Sequence, residues 1–241
     1  MTKVILIITD EYDSHADAVL LELKRRGATV FRFHPDDVPT GYKISIEIEN
    51  GILQGEISNE YRGVSLKDIQ SVWYRGTRVL FPKKRGIVDR SIQEYIALQS
   101  HEIVKALYKM IDASWISHPE KLMFAEIKAL QLFKAYHAGL CVPATLFSND
   151  PMKTASFIGK LGEAACAIKP ITLEGVTSKD GYRFPLTKIL PDNYPLDSVV
   201  YAPSIFQPYI PKIADLRCVV IGEKIFCAKI LSQANDETKL D

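Results

Sequence analysis

Two cationic residues stand in predicted strands in the second half of the chain. Lys169 interrupts the apolar segment 165–171, and Arg217 lies in the predicted strand 216–221. A buried ammonium needs an anionic partner, and a strand holds its cation in place. Between them, the run Gln207-Pro208-Tyr209-Ile210 is typical of a strand leaving a sheet, where backbone groups can meet the edge of a flat ligand. The pattern predicts a cleft for ATP, with phosphates at the cations and adenine at the strand end.

Two further signals are weak when taken alone. Lys128 lies in a predicted long helix and by itself indicates an exposed lysine paired with a neighbouring glutamate. The loop 172–181 has spaced glycines and hydroxyls whose backbone N–H groups could cover a triphosphate. It lacks the G-K-[ST] sequence of a Walker-type loop, so it adds little without the cations.

The composition narrows the class of protein. A chain of 241 residues can form one large domain or two modest ones. Its 30 basic and 29 acidic residues nearly cancel, so charge gives no argument for nucleic acid or a membrane as partner. Without a signal peptide or an apolar run long enough to span a bilayer, the expected location is cytoplasmic. The four cysteines have no C-x-x-C spacing and are expected to be buried, reduced thiols.

The N-terminal half predicts an α/β unit. The continuous apolar run 4–8 indicates a central strand buried on both faces, followed by a helix that Ser14 can cap and a second strand at 29–33. Asn50-Gly51 predicts a hairpin between the segments 42–49 and 52–58, before a further strand at 69–75. The expected architecture is a βαβ unit with a parallel sheet.

The second half predicts a different, α+β architecture with an antiparallel sheet. Two long helices, 89–110 and 119–138, separate it from the first, which predicts domains at 1–118 and 119–241. The predicted elements that follow are a strand at 144–147, a helix at 151–161 capped by Asp150, and strands at 164–170, 204–210, 216–221 and 224–231.

Three other sites are disfavoured by their residues. The segment 9–13 has no glycine to let a pyrophosphate approach, so the βαβ unit is expected to be scaffold, with Asp10 and Asp13 as loop or capping residues. No histidine pairs with another His or a Cys at ligand spacing, so no metal site is expected. The basic segment 83–85 is typical of a solvated loop.

In this order the motifs resemble those of ATP-grasp enzymes, and more closely the ribosomal-peptide maturases that make microviridin-type graspetides. The resemblance covers nearly the whole chain. It implies a pre-ATP-grasp domain with a linking helix at 1–118, and at 119–241 an ATP-grasp central domain with the start of a C-terminally incomplete C-terminal domain. Its N-terminal carriers are Ile7-Ile8-Thr9, Ser14-His15-Ala16-Asp17, Arg32-Phe33-His34-Pro35-Asp36-Asp37-Val38-Pro39 and Val72-Trp73-Tyr74-Arg75. Its ATP-grasp carriers are Lys128, Gly139-Leu140-Cys141-Val142-Pro143-Ala144-Thr145, Lys169-Pro170, Gln207-Pro208-Tyr209-Ile210 and Asp215-Leu216-Arg217.

The resemblance implies a ligase that uses ATP and Mg²⁺ to convert side-chain carboxylates of a precursor peptide into acyl phosphates. A hydroxyl or lysine amine of the same peptide then closes an ω-ester or ω-amide ring. It implies that Lys128 and Lys169 hold phosphates, and that Arg217 neutralises phosphate or the acceptor carboxylate. Adenine would bind at Gln207, Tyr209 and Ile210. Asp215 would contact ribose or orient Arg217, and the peptide's leader segment would bind between residues 169 and 207.

The chain departs from the family pattern at two places. It has Gly76-Thr77-Arg78 where related sequences commonly carry a second arginine and a proline. Related sequences also continue beyond Asp241 into strands whose Asp and Glu-x-Asn motif hold Mg²⁺. The resemblance therefore predicts a chain without these metal ligands, either a fragment or a protein that a partner completes, and apolar surface left uncovered would favour a homodimer.

Two alternatives to a graspetide ligase stay open on sequence grounds. One is a non-catalytic module that binds a nucleotide or a leader peptide without turnover. The other is a different ATP-grasp ligase, such as a glutamate-adding enzyme, which would share the ATP-binding residues and differ in its acceptor.

Overall fold

The computed structural model describes residues 3–76, 89–162, 165–172, 175–178, 181–183 and 186–234, with the backbone alone at 176–178 and 183. Its residues form two compact units, Met1–Glu126 and Ile127–Asp241. The functional domain boundary that the sequence predicts, between residues 118 and 119, stays a prediction. No helix within the described ranges combines the length and the apolar character needed to cross a membrane.

In the described residues of the first unit there are seven strands and three α-helices. In chain order they are β1 (Val4–Ile8), α1 (Ser14–Arg25), β2 (Thr29–Phe33), β3 (Lys43–Glu49), β4 (Ile52–Ser58), β5 (Gly63–Ser65), β6 (Ile69–Tyr74), α2 (Arg90–Met110), β7 (Ser114–Ile116) and α3 (Pro119–Ala125).

A parallel sheet with strand order β2-β1-β6-β7 forms the core of this unit. Leu6, Ile7 and Ile8 of β1 are fully buried, as expected for a central strand covered on both faces. The prediction of a central apolar strand and a parallel βαβ unit is confirmed. The sequence did not predict β7, because three residues are too few to show strand alternation.

The N-cap of helix α1 is the residue before the predicted cap, Ser14. The N-cap is Asp13, whose carboxylate accepts hydrogen bonds from the backbone N–H groups of His15 and Ala16. Ser14 is the first residue inside the helix, so the prediction of Ser14 as the cap was wrong. An aspartate caps at least as well as a serine, and its charge also favours the helix N-terminus.

The predicted hairpin is present and belongs to a separate antiparallel sheet, β3-β4-β5. Asn50 and Gly51 both have positive φ, 51° and 76°, which is the requirement of a type I′ turn. Asn tolerates this conformation and Gly adopts it without steric cost. The turn fixes the register, so that Glu49 faces Ile52.

The predicted helix 119–138 is two helices. Helix α3 ends at Ala125, and α4 (Lys128–His137) begins after Ile127, whose ψ of 100° is extended. The interruption contains neither Gly nor Pro, and a β-branched residue tolerates the extended conformation well. As a result, Lys128 lies at the first position of a helix and not in the middle of one.

The second unit holds the remaining elements. They are α4, β8 (Leu146–Ser148), α5 (Pro151–Lys160), β9 (Cys166–Pro170), β10 (Val176–Ser178), β11 (Gly181–Arg183), β12 (Lys188–Ile189), β13 (Ser204–Pro208), β14 (Asp215–Ile221) and β15 (Lys224–Ile230). Strands β12-β9-β13-β8 form an entirely antiparallel sheet. Asp150 caps α5, as predicted. The predicted α+β architecture is confirmed.

One face of this sheet packs against α5. Cys166 and Phe206 are buried there with Val199, and Phe157 and Ile158 of α5 lie against them. Because side chains alternate along a strand, Ala167 and Lys169 point to the other face. The opposite residues in β13 on that second face are Gln207 and Ile205.

Strands β14 and β15 form a two-stranded hairpin of their own. Gly222, with φ of 60°, occupies the first central position of its two-residue turn, as a type II′ turn requires. Apart from the half-buried Asp215, every residue of the two strands is exposed. The expectation that the cysteines are buried was wrong for Cys218 and Cys227, and also for Cys141, because this hairpin and the loop before β8 leave them at the surface.

Candidate functional site

Lys169 is a half-buried cation on the second face of the β9–β13 sheet. Burial lowers the pKa of its ammonium group, and the positive charges of Lys212 and Lys128 lower it further. Among the described residues, no carboxylate lies within ion-pair distance of Lys169. An anion would be stabilised beside this half-buried cation and its two neighbouring lysines.

Lys128 reaches the same end of β9. Its Nζ donates a hydrogen bond to the backbone oxygen of Pro170, the residue after Lys169, at 3.0 Å. This contact holds the first residue of α4 against the sheet within the second unit. The structure therefore brings together two of the residues that the sequence predicts for phosphate binding, although their 41-residue separation hides their proximity.

Lys212 is the third cation, and the sequence analysis missed it. Its Nζ lies 2.8 Å from Oδ2 of Asp215. Hydrogen bonds from Lys212 and then Ser232 lower the pKa of the Asp215 carboxyl group. A lysine in a loop is usually solvated, so only its distance from Asp215 and its effect on Lys169 reveal it. The predicted roles of Asp215, toward ribose or Arg217, stay predictions.

Gln207 has a scaffold contact in this structure. Its side chain is buried, and Nε2 donates to Oγ1 of Thr145 at 2.9 Å. Thr145 in turn donates to the backbone oxygen of Pro143. This chain of hydrogen bonds fixes the loop before β8 to the face that carries Lys169, so the side chain of Gln207 holds that loop in place.

The strand end after Gln207 offers fewer free backbone groups than the sequence suggests. The backbone N–H of Tyr209 donates to the oxygen of Ala165 at 2.6 Å, so it is not available to a ligand. The side chain of Ile210 is exposed. An adenine ring at this edge would have to use other backbone groups, and the apolar surface of Ile210 is placed to cover it.

Arg217 lies on β14, opposite Ala228, and is exposed. A strand holds its backbone, and its side chain is accessible to an anion from solvent. The part of the chain that the structure describes contains no group of three or more His, Cys, Asp or Glu side chains that could hold a metal ion. Parts of the predicted phosphate loop (173–174 and 179–180), the basic segment 83–85, Thr77 and Arg78, and the tail 235–241 lie outside the described residues.

The first unit contains a charged cluster of another kind. Nε of Arg75 lies 3.0 Å from Oδ2 of Asp13, and Oγ1 of Thr9 donates to the same carboxylate at 2.5 Å. The hydrogen bond from Arg75 is the main reason that the pKa of Asp13 falls well below its usual range. The Arg75 guanidinium also lies 5.4 Å from the centre of the Trp73 ring. These charges satisfy one another, which agrees with a scaffold role.

A family model described as the MvdD pre-ATP grasp domain matches residues 4–122. No curated protein matches the chain. The matched residues coincide with the unit that contains the parallel sheet, so this similarity is limited to the first half of the chain.

Solved structures extend the likeness to nearly the whole chain. One similar structure is a RiPP-associated ATP-grasp ligase of Chryseobacterium gregarium in complex with ADP and a leader and core peptide. The two chains are 26% identical with a TM-score of 0.89, and the match covers 99% of this chain and 72% of the ligase chain. It is also 26% identical, with a TM-score of 0.86, to the macrocyclase MdnC of Microcystis aeruginosa MRC bound with the precursor peptide MdnA; that match covers 95% of this chain and 76% of MdnC. MdnB, a macrocyclase of the same organism, gives 26% identity and a TM-score of 0.78 over 95% and 75%.

Proposed function

We propose that the chain takes part in ATP-dependent maturation of a ribosomal precursor peptide. Its residues 4–122 match the model of the MvdD pre-ATP grasp domain, and nearly its whole length is similar to a RiPP-associated ATP-grasp ligase and to the macrocyclase MdnC. The observation that carries the proposal is the convergence of Lys128, Lys169 and Lys212 in the second unit. A bound polyanion would stabilise this group of cations, and a nucleoside triphosphate is one.

In this proposal some residues contact the nucleotide and others hold the strand end beside it. Lys169 and Lys128 hold the phosphates, and the exposed Ile210 covers the adenine ring. Gln207 and Tyr209 keep the strand end in place through their bonds to Thr145 and Ala165. Because Nζ of Lys128 can exchange the Pro170 oxygen for a phosphate oxygen, its present hydrogen bond holds it close to where it would act.

The chemistry proposed is carboxylate activation. The γ-phosphate passes from ATP to a side-chain carboxylate of the peptide, which gives an acyl phosphate and ADP. A Ser or Thr hydroxyl or a Lys amine then attacks the acyl carbon, phosphate leaves, and an ω-ester or ω-amide closes the ring. Arg217, on an exposed strand, neutralises the charge that develops on the phosphate or the acceptor.

Magnesium is proposed as part of the nucleotide substrate. The described residues contain no group of three or more His, Cys, Asp or Glu side chains that could hold the ion, so no protein ligand is assigned to it. The partner we propose is a precursor peptide with a leader segment, because two structures at 26% identity hold peptides of this kind. Its contact region on this chain is proposed between Lys169 and Gln207, where β10, β11 and β12 lie.

Mass spectrometry of a graspetide-type precursor peptide tests the proposal. The peptide is incubated with the chain, ATP and Mg²⁺, and we expect loss of one water per ring together with release of ADP. Lys169→Met should abolish the loss, and Lys160→Met, at the end of α5 in the same unit, should preserve it. Binding of the peptide that is unaffected by ATP, with no loss of water, would favour the non-catalytic binding module.

A further inference from the structure

Cys218 and Cys227 form a close pair of thiols at the surface of the β14–β15 hairpin. They face each other in the antiparallel register, and their sulfur atoms lie 3.3 Å apart. Both thiols are free and exposed. The other cysteines are different, because Cys166 is buried and Cys141 lies in the loop before β8.

The backbone geometry at this pair suits a covalent bond between the sulfurs. In a hairpin closed by a two-residue turn, the pair beside the turn, Ile221 and Lys224, exchanges hydrogen bonds. Alternation along the ladder then makes Cys218 and Cys227 a non-hydrogen-bonded pair, in which Cα atoms are about 4.5 Å apart. A disulfide bridges Cα atoms separated by about 4.4–6.8 Å, so the strands need not move apart or together.

The surroundings leave the pair open to small reagents. On the same face, the next pair toward the turn is Val220 and Ile225, whose side chains are 65% and 70% exposed. The hydrogen bond between the two thiols, followed by burial, raises the pKa of Cys227. Its thiol therefore stays protonated at neutral pH, and reactions that need its thiolate become faster as pH rises.

We propose that Cys218 and Cys227 are a modification site, a dithiol that a hydroperoxide converts into an intramolecular disulfide. One thiolate attacks the terminal peroxide oxygen, the O–O bond breaks, and the protonated leaving group departs as water or an alcohol. The sulfenic acid so formed is attacked by the second thiol, and water leaves as the S–S bond forms. Two thiols lose two electrons and two protons, and the peroxide takes up both.

The disulfide would fix the pairing of the strand that carries Arg217. Cys218 is its neighbour in sequence, and Arg217 itself faces Ala228 on the other side of the hairpin. A crosslink at this position prevents β14 from separating from β15. Its formation does not depend on the proposed ligase activity, so the two proposals can fail separately.

The test treats the full chain with one equivalent of hydrogen peroxide in a Cys141→Ser background, which removes the exposed lone thiol. We expect loss of two hydrogen masses, and a tryptic map in which the peptide 218–224 is joined to the peptide 225–229. In Cys227→Ser the loss should vanish and a sulfenic acid should be trapped by dimedone. Peroxide products that are disulfide-linked dimers, or sulfinic acids with both cysteines present, would overturn the proposal.

A second measurement tests whether the folded hairpin brings the two sulfur atoms together, or whether their short separation in sequence is enough. Cysteines nine residues apart also meet in an unfolded chain, so disulfide formation is timed at equal pH with and without denaturing urea. If the hairpin holds the sulfurs together, we expect formation in the folded chain to be faster by about tenfold or more. Equal or slower formation in the folded chain would show that the hairpin does not create the site.

Discussion

Asp13 with Arg75 in the first unit and Lys169 with its neighbours in the second show two ways of placing charge. In the first, a carboxylate and a guanidinium 3.0 Å apart neutralise each other, and the pKa of Asp13 is lowered. In the second, Lys128 and Lys212 add positive charge beside Lys169, whose pKa is lowered because its charged form is disfavoured.

This difference indicates that the Asp13–Arg75 pair stabilises the fold and that the lysines around Lys169 are suited to binding a ligand. Ionisation of Asp13 is more favourable in the folded chain than in the unfolded chain, so the pair contributes to stability. The charge on Lys169 is less favourable when folded, and the fold tolerates it at a cost. Such a cost is typical of a functional site, since a bound anion would relieve it.

Replacing Lys169 should have the largest effect on binding. Lys169→Met keeps the length of the side chain and removes its charge, and we expect affinity for an ATP analogue to fall by about thirty- to a hundredfold. Thermal stability without ligand should be unchanged or higher, because the disfavoured charge is gone. Ligand-induced shifts in the melting temperature measure the loss.

Lys160→Met is the matched control, since this lysine ends α5 and carries no predicted role. An affinity that falls equally in both variants would mean that the charge on Lys169 has no special place in the site.

Replacing Asp13 should have the largest effect on stability. Asp13→Ala removes both the cap of α1 and the partner of Arg75, and we expect the free energy of unfolding to fall by about 2 kcal/mol. Chemical denaturation measures it. Asp89→Ala, which removes the cap of α2 without breaking an ion pair to any described arginine, should cost less.

Acid should act on the same pair. Because the pKa of Asp13 is lowered in the folded state, its contribution is complete above the unfolded value of about 3.9 and is lost as pH falls toward the folded value. Asp13→Asn should flatten the stability curve in that window. An unchanged acid dependence would contradict the assignment of Asp13 and Arg75 as a stabilising pair.

Replacing Gln207 tests whether its buried side chain stabilises the fold and does not bind the nucleotide directly. We expect Gln207→Ala to lower the free energy of unfolding by about 1–2 kcal/mol and to weaken nucleotide binding less than Lys169→Met does. Gln54→Ala, at an exposed position of β4, should change stability by less than about 0.5 kcal/mol.

A double-mutant cycle with Thr145→Val shows whether the hydrogen bond carries this effect. Losses that add without any coupling would mean that the Gln207–Thr145 contact does not stabilise the fold.

The smallest effect we expect is a dependence of affinity on alkaline pH. The pKa of Lys169 lies below its usual value, so its ammonium deprotonates earlier than an exposed lysine as pH rises. Phosphate binding should weaken through that range and should take up protons, while the ligand-free fold gains stability relative to the unfolded chain. Calorimetry in buffers of different ionisation enthalpy counts the protons.

Lys169→Arg should remove this dependence, because an arginine stays charged throughout. An equally steep loss of affinity in that variant would assign the titration to another group.

Patterns that are local in sequence gave most of the fold. The apolar run of β1, the Asn50-Gly51 turn and the Asp150 cap each set their structure within a few residues, and each prediction is confirmed. The helix break at Ile127 has no Gly or Pro signal, and β7 is too short for one. Both depend on packing that a single sequence does not reveal.

The site was predictable only where a residue contradicts its own surroundings. Lys169 breaks an apolar strand and was found in this way, whereas Lys212 looks like any loop lysine and was missed. The contact of Lys128 with Pro170 joins residues far apart in the chain. The exposure of Cys218 and Cys227 was also missed, because an apolar strand pattern does not show whether anything covers the strand.

Calorimetric titration of the full chain with a non-hydrolysable ATP analogue, in the presence and absence of Mg²⁺, tests the central claim that the lysine cluster of the second unit binds a nucleotide. The account predicts saturable binding to one site in the wild type and its near loss in Lys169→Met. No measurable binding in either condition, or equal binding by Lys169→Met, would contradict it.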